Sequence, residues 1–369
     1  MKEILEAIVE LTRRREAAAL ASVVAASGSL PMSRRSKMLV LAAGTQIGTV
    51  GGGCLEAEVH AMARESSRTA SAALRRFTLT EAMAGADGLN CGGTVEVLVE
   101  PVGGVSPAPF MEVYRWALAA LEAREESVLV TALMIPATSP DGTSRAEIAG
   151  KGLVGWKGMR IGSGVLARGN GESPLAAYAA EEALGILGQD RAGFVRVAAP
   201  LGSGSTRLFL ETVDAPPTLY LFGGGHVSLA VARVARTAGF RVVVVDDRPA
   251  FANPGRFPEA DRALVMPMEG AVSNLPIDRD SFIVAVTRGH KHDEPVIEQA
   301  IRTPAAYIGM IGSRRKVAVM WERLRSRGAT DEQLSRVHAP IGLAIRADTP
   351  GEIAVSIVAQ MIEIRRRAK

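Results

Sequence analysis

The chain has 369 residues, enough for two or three domains, and its aromatic content of 4% means that its cores are built mainly from Ala, Val, Leu and Ile. A formal net charge of +4 suits an anionic small molecule better than a nucleic-acid backbone, and no lysine-rich tail or aromatic-basic alternation points to nucleic acid. Two cysteines cannot form a disulfide framework and no apolar run reaches membrane-spanning length, so a cytoplasmic protein without a membrane span is expected.

In chain order, "KEILEAIVELTRRRE" carries apolar residues at helical spacing. "AALASVVAAS" and "KMLVLAA" read as strands, joined by a polar loop holding Arg34, Arg35 and Lys37. "CLEAEVHAMA" returns to helix, and "ALRRFTL" and "TVEVLVE" are strands. "PVGGVSPAP" marks a break after a first block of residues 1–105. The middle segment, 106–212, has helix-like stretches ("MEVYRWALAALEARE", "AAYAAEEALGIL") and strand-like ones ("SVLVTALM", "GFVRVAA"), and is expected to belong to the N-terminal α/β region. "VDAPP" is a second break before a block of residues 218–369, where short unbroken apolar runs suit strands buried on both faces of a parallel sheet. Thr349, Pro350 and Glu352 form the start signal of a final helix. The expected fold class is α/β: an N-terminal α/β domain followed by a C-terminal Rossmann-like, doubly wound parallel sheet.

The stretch "LYLFGGGHVSLAVARVARTAGFRVVVVDD" orders strand, glycine turn, helix, strand and acid as a dinucleotide site does. Gly223 permits the turn, Gly225 admits a pyrophosphate and Ser228 lets the helix pack on the sheet, with Gly224 and His226 in the same turn. Asp246 falls where an acid grips a ribose hydroxyl, while Arg248 beside it leaves the choice between NAD and NADP open. Two further strand ends carry polar residues: Thr287 with His290 and His292, and Gly312, Ser313 and Arg314 in "GSRRK". The second cluster reads either as an anion site or as a charged helix face. "HKHD" without further spaced ligands is no metal motif, and no metal is expected.

Both thiols stand in glycine-rich turns. Gly51, Gly52 and Gly53 precede Cys54 at a helix entry, where the dipole favours thiolate and free N–H groups can hold an anion. Cys91 is followed by Gly92 and Gly93 at a strand start. Read alone, the pair fits functional thiols or small buried hydrophobes, and Arg34 and Lys37 fit a phosphate contact or a solvated loop.

Taken together, "GSLPMSRRSKMLV", "GGGCLEAEVH", "GLNCGGTVEVLVEP", the glycine turn with "DDRP", "YIGMIGSRRK", "HAPIGL" and "TPGEIAVSIVAQMI" resemble the xanthine dehydrogenase accessory protein family (XdhC/CoxI). The resemblance implies a factor that binds molybdenum cofactor (molybdopterin), assists its sulfuration and delivers it to a molybdenum hydroxylase apoenzyme. A cysteine desulfurase or another sulfur donor would be a partner. It implies Cys54 and Cys91 as thiols that contact the metal centre or relay sulfur. Arg288 and Ala344 depart from the family pattern, in the Rossmann block. The competing reading is an NAD(P)-dependent oxidoreductase with His290 or His292 as acid/base. A homodimer is expected because two-fold pairs are the commonest assembly.

Overall fold

A computed structural model describes residues 1–28, 33, 35–78, 93–106, 108–135, 143–167, 173–189, 191–197 and 205–367. The chain forms two compact units, Met1–Ala215 and Pro216–Lys369.

The first unit opens with α1 (Lys2–Arg14), whose Ile4, Leu5, Ile8 and Leu11 are buried on one face. Each such side chain contributes about 1.5–3 kcal/mol by leaving water. There follow β1 (Ala17–Ser27), β2 (Lys37–Leu41), β3 (Gln46–Thr49), α2 (Gly53–Thr69), β4 (Ala72–Thr78) and β5 (Thr94–Gly103). Then come α3 (Ala108–Glu122), β6 (Ser127–Ile135), β7 (Thr143–Gly155), β8 (Gly158–Gly164), α4 (Pro174–Ile186), β9 (Ala192–Arg196) and β10 (Ser205–Val213). The strands make one ten-stranded sheet in the order β3-β2-β1-β5-β4-β7-β6-β10-β9, with β8 paired to β7. Residues from the first block and from the middle segment therefore share one sheet.

Strands β2 and β10 stand far apart in this order, yet Lys37 on β2 lies 2.9 Å from Glu211 on β10. The sheet curls until its two halves face one another. Period-two alternation then separates two packing faces. On β1, Ala19, Ala21 and Val23 pack with Leu55, Val59 and Ala63 of α2, whereas Ala18 and Leu20 pack with α1 and α3.

The second unit runs β11 (Thr218–Phe222), α5 (His226–Thr237), β12 (Arg241–Asp246), β13 (Arg262–Val265), β14 (Ser281–Ala285) and α6 (His290–Ala300). It closes with β15 (Tyr307–Met310), α7 (Arg314–Ser326), α8 (Asp331–Ser335), β16 (Val337–His338) and α9 (Pro350–Arg367). Its six-stranded parallel sheet has the order β13-β12-β11-β14-β15-β16. Leu219, Leu221, Val242 and Val244 face α5 and α9, while Tyr220, Phe222, Val243 and Val245 face α6 and α7. Apolar side chains on both faces explain why these strands read as unbroken runs. Helix α9 begins with the capping box read from sequence: Glu352 N–H donates to Thr349 Oγ1 at 3.3 Å, and Thr349 N–H donates to Glu352 Oε2 at 2.9 Å. No helix among the described residues is long and apolar enough to cross a membrane.

Candidate functional site

In the first unit the sheet register gathers several of the sequence-predicted residues. Thr49 pairs with Lys37, and Ser27 pairs with Thr94. Lys37 and Thr49 are level with Ser22, and the Ser27–Thr94 pair lies five residues further along β1, toward the same end of the sheet. Cys54, in the first turn of α2, and buried Gly93, just before β5, leave it there. Arg34, Cys91 and Gly92 lie outside the described residues.

Cys54 is a free, exposed thiol. The three glycines before it are required by the backbone: Gly51, Gly52 and Gly53 all have positive φ (127°, 78° and 62°), a region costly for residues with a Cβ. Around Gly52 and Gly53 there is open space, since a Cβ at either position would meet nothing within 4 Å. The N–H groups of Gly53, Cys54 and Leu55 have no acceptor among the described residues. Orphan donors and the positive helix end favour an anion at this point.

Part of the turn is already filled by a group that sequence reasoning missed. The carboxylate of Glu56 accepts from the N–H groups of Val50 (3.3 Å) and Gly52 (3.2 Å), from Gln46 Nε2 (2.8 Å) and from the Thr49 hydroxyl. The Thr49 hydrogen bond chiefly, helped by Gln46, Gly52 and Val50 against burial, holds this carboxyl below the usual carboxylate range. A depressed folded pKa adds stability at neutral pH that is lost as pH falls through the folded pKa. We therefore expect the protection of the Val50 and Gly52 amides, relative to their intrinsic exchange rates, to fall as the pH drops through the folded pKa of Glu56. In Glu56→Gln they exchange faster already at neutral pH and lose that pH dependence. Amide exchange by NMR measures both. The signal in the sequence is an acid in the first turn of a glycine-opened helix.

Lys37 corrects the sequence reading. It is not a solvent-facing base: its side chain is buried, paired with Glu211 at 2.9 Å and donating to Ser22 Oγ at 2.7 Å. As the first residue of β2 it points into the curled sheet, where an unpaired ammonium would be costly. Arg35 is likewise tied inward, donating to Thr212 O at 2.6 Å.

In the second unit the strand order reverses between β11 and β14, the switch point at which open α/β sheets bind ligands beyond the carboxyl ends of their strands. Gly223 (φ 107°) lies so close to β14 that a Cβ would sit 2.5 Å from Val286 O. Gly224 is packed harder, its Cβ position being 2.0 Å from Phe251 O. Gly225 is open, with nothing within 4 Å, and His226 behind it is exposed. The N–H groups of His226, Val227 and Ser228 have no acceptor among the described residues. This open glycine, with its orphan donors, fits a phosphate. Ser228 is fully buried and donates to Gly223 O.

Asp246 ends β12 at 2% exposure. Its carboxylate accepts from Gly224 N–H at 2.7 Å, from Arg248 N–H at 3.0 Å, and from Arg248 Nε and Nη2 at 2.9 and 3.0 Å. Burial pushes this carboxyl up, but the bonds from Arg248 and Gly224 outweigh it and leave it below the usual carboxylate range. Arg248 lies over the Phe251 ring at 3.6 Å. Thr287 donates to Asp293 Oδ1 at 2.7 Å, and Arg288 pairs with Asp247 at 2.7 Å. His292 Nε2 accepts from Arg288 Nε at 3.2 Å, so its ring is committed to the loop after β14. Ser313, exposed, caps α7 by accepting from Lys316 N–H at 3.4 Å, with Gly312 before it and exposed Arg314 after it. No cluster of three or more His, Cys, Asp or Glu suited to a metal occurs among the described residues.

Comparison with known proteins places both units. A family model described as the XdhC and CoxI family matches residues 11–78, and one described as the XdhC Rossmann domain matches 219–361. The chain is 35% identical over 166 residues to an uncharacterized protein, YqeB, of Escherichia coli K12, covering 45% of this chain and 30% of that protein. It is 33% identical over 163 residues to a Bacillus subtilis 168 protein described as a probable subunit of xanthine dehydrogenase, covering 44% and 47%. It is 24% identical over 95 residues to the molybdenum cofactor insertion chaperone PaoD of E. coli K12, covering 26% and 30%. The matches thus span less than half the length of each of these relatives. A crystal structure described as a xanthine dehydrogenase from Bacillus halodurans superposes with a TM-score of 0.75, covering 99% of this chain and 96% of that one; at 23% identity the likeness establishes the fold alone. With residues 11–78 matched by one of the two models and residues 219–361 by the other, in that order and together over more than half of the chain, the protein belongs to the XdhC and CoxI family.

Proposed function

We propose that this protein is an accessory factor for a xanthine dehydrogenase-type molybdenum hydroxylase. It binds molybdenum cofactor through the first unit, assists its sulfuration and delivers it to the apoenzyme. Gly51, Gly52 and Gly53 offer close backbone approach, and Gly53, Cys54 and Leu55 offer orphan N–H donors, to an anionic pterin; Cys54 offers a thiol to the metal centre or to a sulfur in transit, with Cys91 as its counterpart. A cysteine desulfurase or other sulfur donor and the apoenzyme are the partners, and the protein works as a homodimer. The second unit binds an adenine dinucleotide, NAD or NADP, over Gly225, with Thr287, Ser313 and Arg314 at the neighbouring strand ends.

The observation that carries this reading is the exposed Cys54 thiol on an open helix N-terminus, within the segment matched by the XdhC and CoxI model. The named chaperone among the relatives supports the same direction.

The test is to purify the full chain from cells that make molybdenum cofactor and to quantify the pterin released on oxidation. We expect substoichiometric pterin in the native protein and a several-fold lower content in Cys54→Ser. Gly225→Val leaves the pterin content unchanged. Absence of pterin from the native protein, or its loss in Gly225→Val with Cys54→Ser unaffected, would overturn the assignment to the first unit.

A further inference from the structure

We propose that the second unit selects an adenine dinucleotide bearing a 2′-phosphate, and that Arg248 is the residue that reads it. This rests on the nucleotide reading above and goes beyond it by choosing between NAD and NADP.

Asp246 closes β12 beside the glycine turn. An acid at the end of the second strand ordinarily accepts a hydrogen bond from a ribose hydroxyl. A carboxylate has about four lone-pair sites. Here four donors occupy them: Gly224 N–H and Arg248 Nη2 on Oδ2, and Arg248 N–H and Nε on Oδ1. At 2% exposure the group has no acceptor left to offer a ribose. Asp246 acts instead as a brace, tying the glycine turn to the Arg248 guanidinium.

That brace shapes what a ligand meets. The Arg248 side chain is 30% exposed, and its Nη1 has no partner among the described residues. The guanidinium is held on one side by Asp246 and lies over the Phe251 ring at 3.6 Å, so little of its freedom remains to be lost on binding. Preorganised arginine favours phosphate oxygens, which accept charge-assisted hydrogen bonds. Both nearby acids are neutralised, Asp246 by Arg248 and Asp247 by Arg288, so neither repels an incoming phosphate. A second cation stands by: Arg256 donates from Nε to Gly224 O at 2.9 Å and also lies over Phe251 at 4.9 Å. Its Nη2 is buried with no acceptor among the described residues. A buried charged donor without an acceptor is costly.

Isothermal titration of the full chain with NAD, NADP, 5′-AMP and 2′,5′-ADP tests this. We expect NADP to bind about tenfold or more tightly than NAD, and 2′,5′-ADP to exceed 5′-AMP in the same ratio. Arg248→Ala should reverse the order, because it removes the phosphate contact and at the same time frees Asp246 for a ribose hydroxyl. A merely structural role for Arg248 would weaken both dinucleotides alike. Arg248→Lys keeps the charge and should retain a reduced preference for NADP. NAD binding as tightly as NADP to the native protein overturns the proposal and leaves nucleotide binding standing. No heat from any of the four overturns both.

Discussion

Replacing Lys151 by Met should destabilise the first unit by about 3–5 kcal/mol, the typical cost of leaving a buried charge without its partner. Lys151 is 1% exposed. Its ammonium lies 2.8 Å from Glu100 Oε2 and donates to Thr131 Oγ1 at 3.0 Å, while the Tyr114 hydroxyl donates to Glu100 Oε1 at 2.9 Å. Burial pushes the Lys151 ammonium down and Glu100 acts against that shift. Methionine conserves most of the volume, so the loss is electrostatic. It strands the Glu100 carboxylate in a site walled by Leu20, Leu129 and Leu153. Replacing both partners, Lys151→Met with Glu100→Gln, should recover most of the loss, because no uncompensated charge remains. Urea unfolding followed by tryptophan fluorescence reads the effect, with Trp116 and Trp156 in the first unit and Trp321 in the second. A cost below about 1 kcal/mol would mean that the pair is solvated, as surface pairs are.

The second large effect separates fold from binding within one glycine turn. Gly224→Ala should destabilise the second unit by about 3 kcal/mol, at the upper end of overpacking costs. The added Cβ would lie 2.0 Å from Phe251 O, and that atom belongs to the backbone, so no rotamer change can clear it. Relief requires moving the 248–256 segment, which carries Arg248 and Arg256 and their bonds to Asp246 and Gly224 O. The neighbouring Gly225→Ala should change stability by only about 0.5 kcal/mol. Gly225 has φ −74° and ψ −175°, which any residue adopts, and no atom lies within 4 Å of its Cβ position. Thermal unfolding of the two variants side by side gives the comparison. Equal destabilisation would mean that Gly225 is packed as tightly as Gly224.

Much of the second unit is legible in the amino-acid sequence. "TLYLFG", "RVVVVDD", "SFIVAVT" and "AYIGMIG" are strands β11, β12, β14 and β15, and the glycine turn falls between β11 and α5. Their signals are local: an unbroken apolar run, a turn that only glycine makes, a capping box at Thr349. The first unit is less legible. Strand β7 escapes a reading by pattern because Gly150, Gly152, Gly155 and Lys151 interrupt its apolar residues. Gly150 is there because the adjoining backbone leaves no room: a Cβ would lie 2.6 Å from Ser163 O. Strand β3 escapes it because it is largely exposed and carries no apolar alternation.

The candidate sites divide in the same way. The amino-acid sequence by itself determined that Cys54 opens a helix behind three glycines, that Gly225 lies in a βα turn and that Asp246 ends the strand after that helix, because each follows from local signals along the chain. Only the tertiary structure decided that Lys37 is a core cation, since its partner Glu211 reaches it only once the sheet has curled. Only the tertiary structure decided that Asp246 is already saturated, since that depends on Arg248 turning back over the Phe251 ring and on Gly224 lying within hydrogen-bond reach. Local periodicity sets the elements; which charge meets which is set by how the chain returns on itself, and charges leave no periodic trace of their partners.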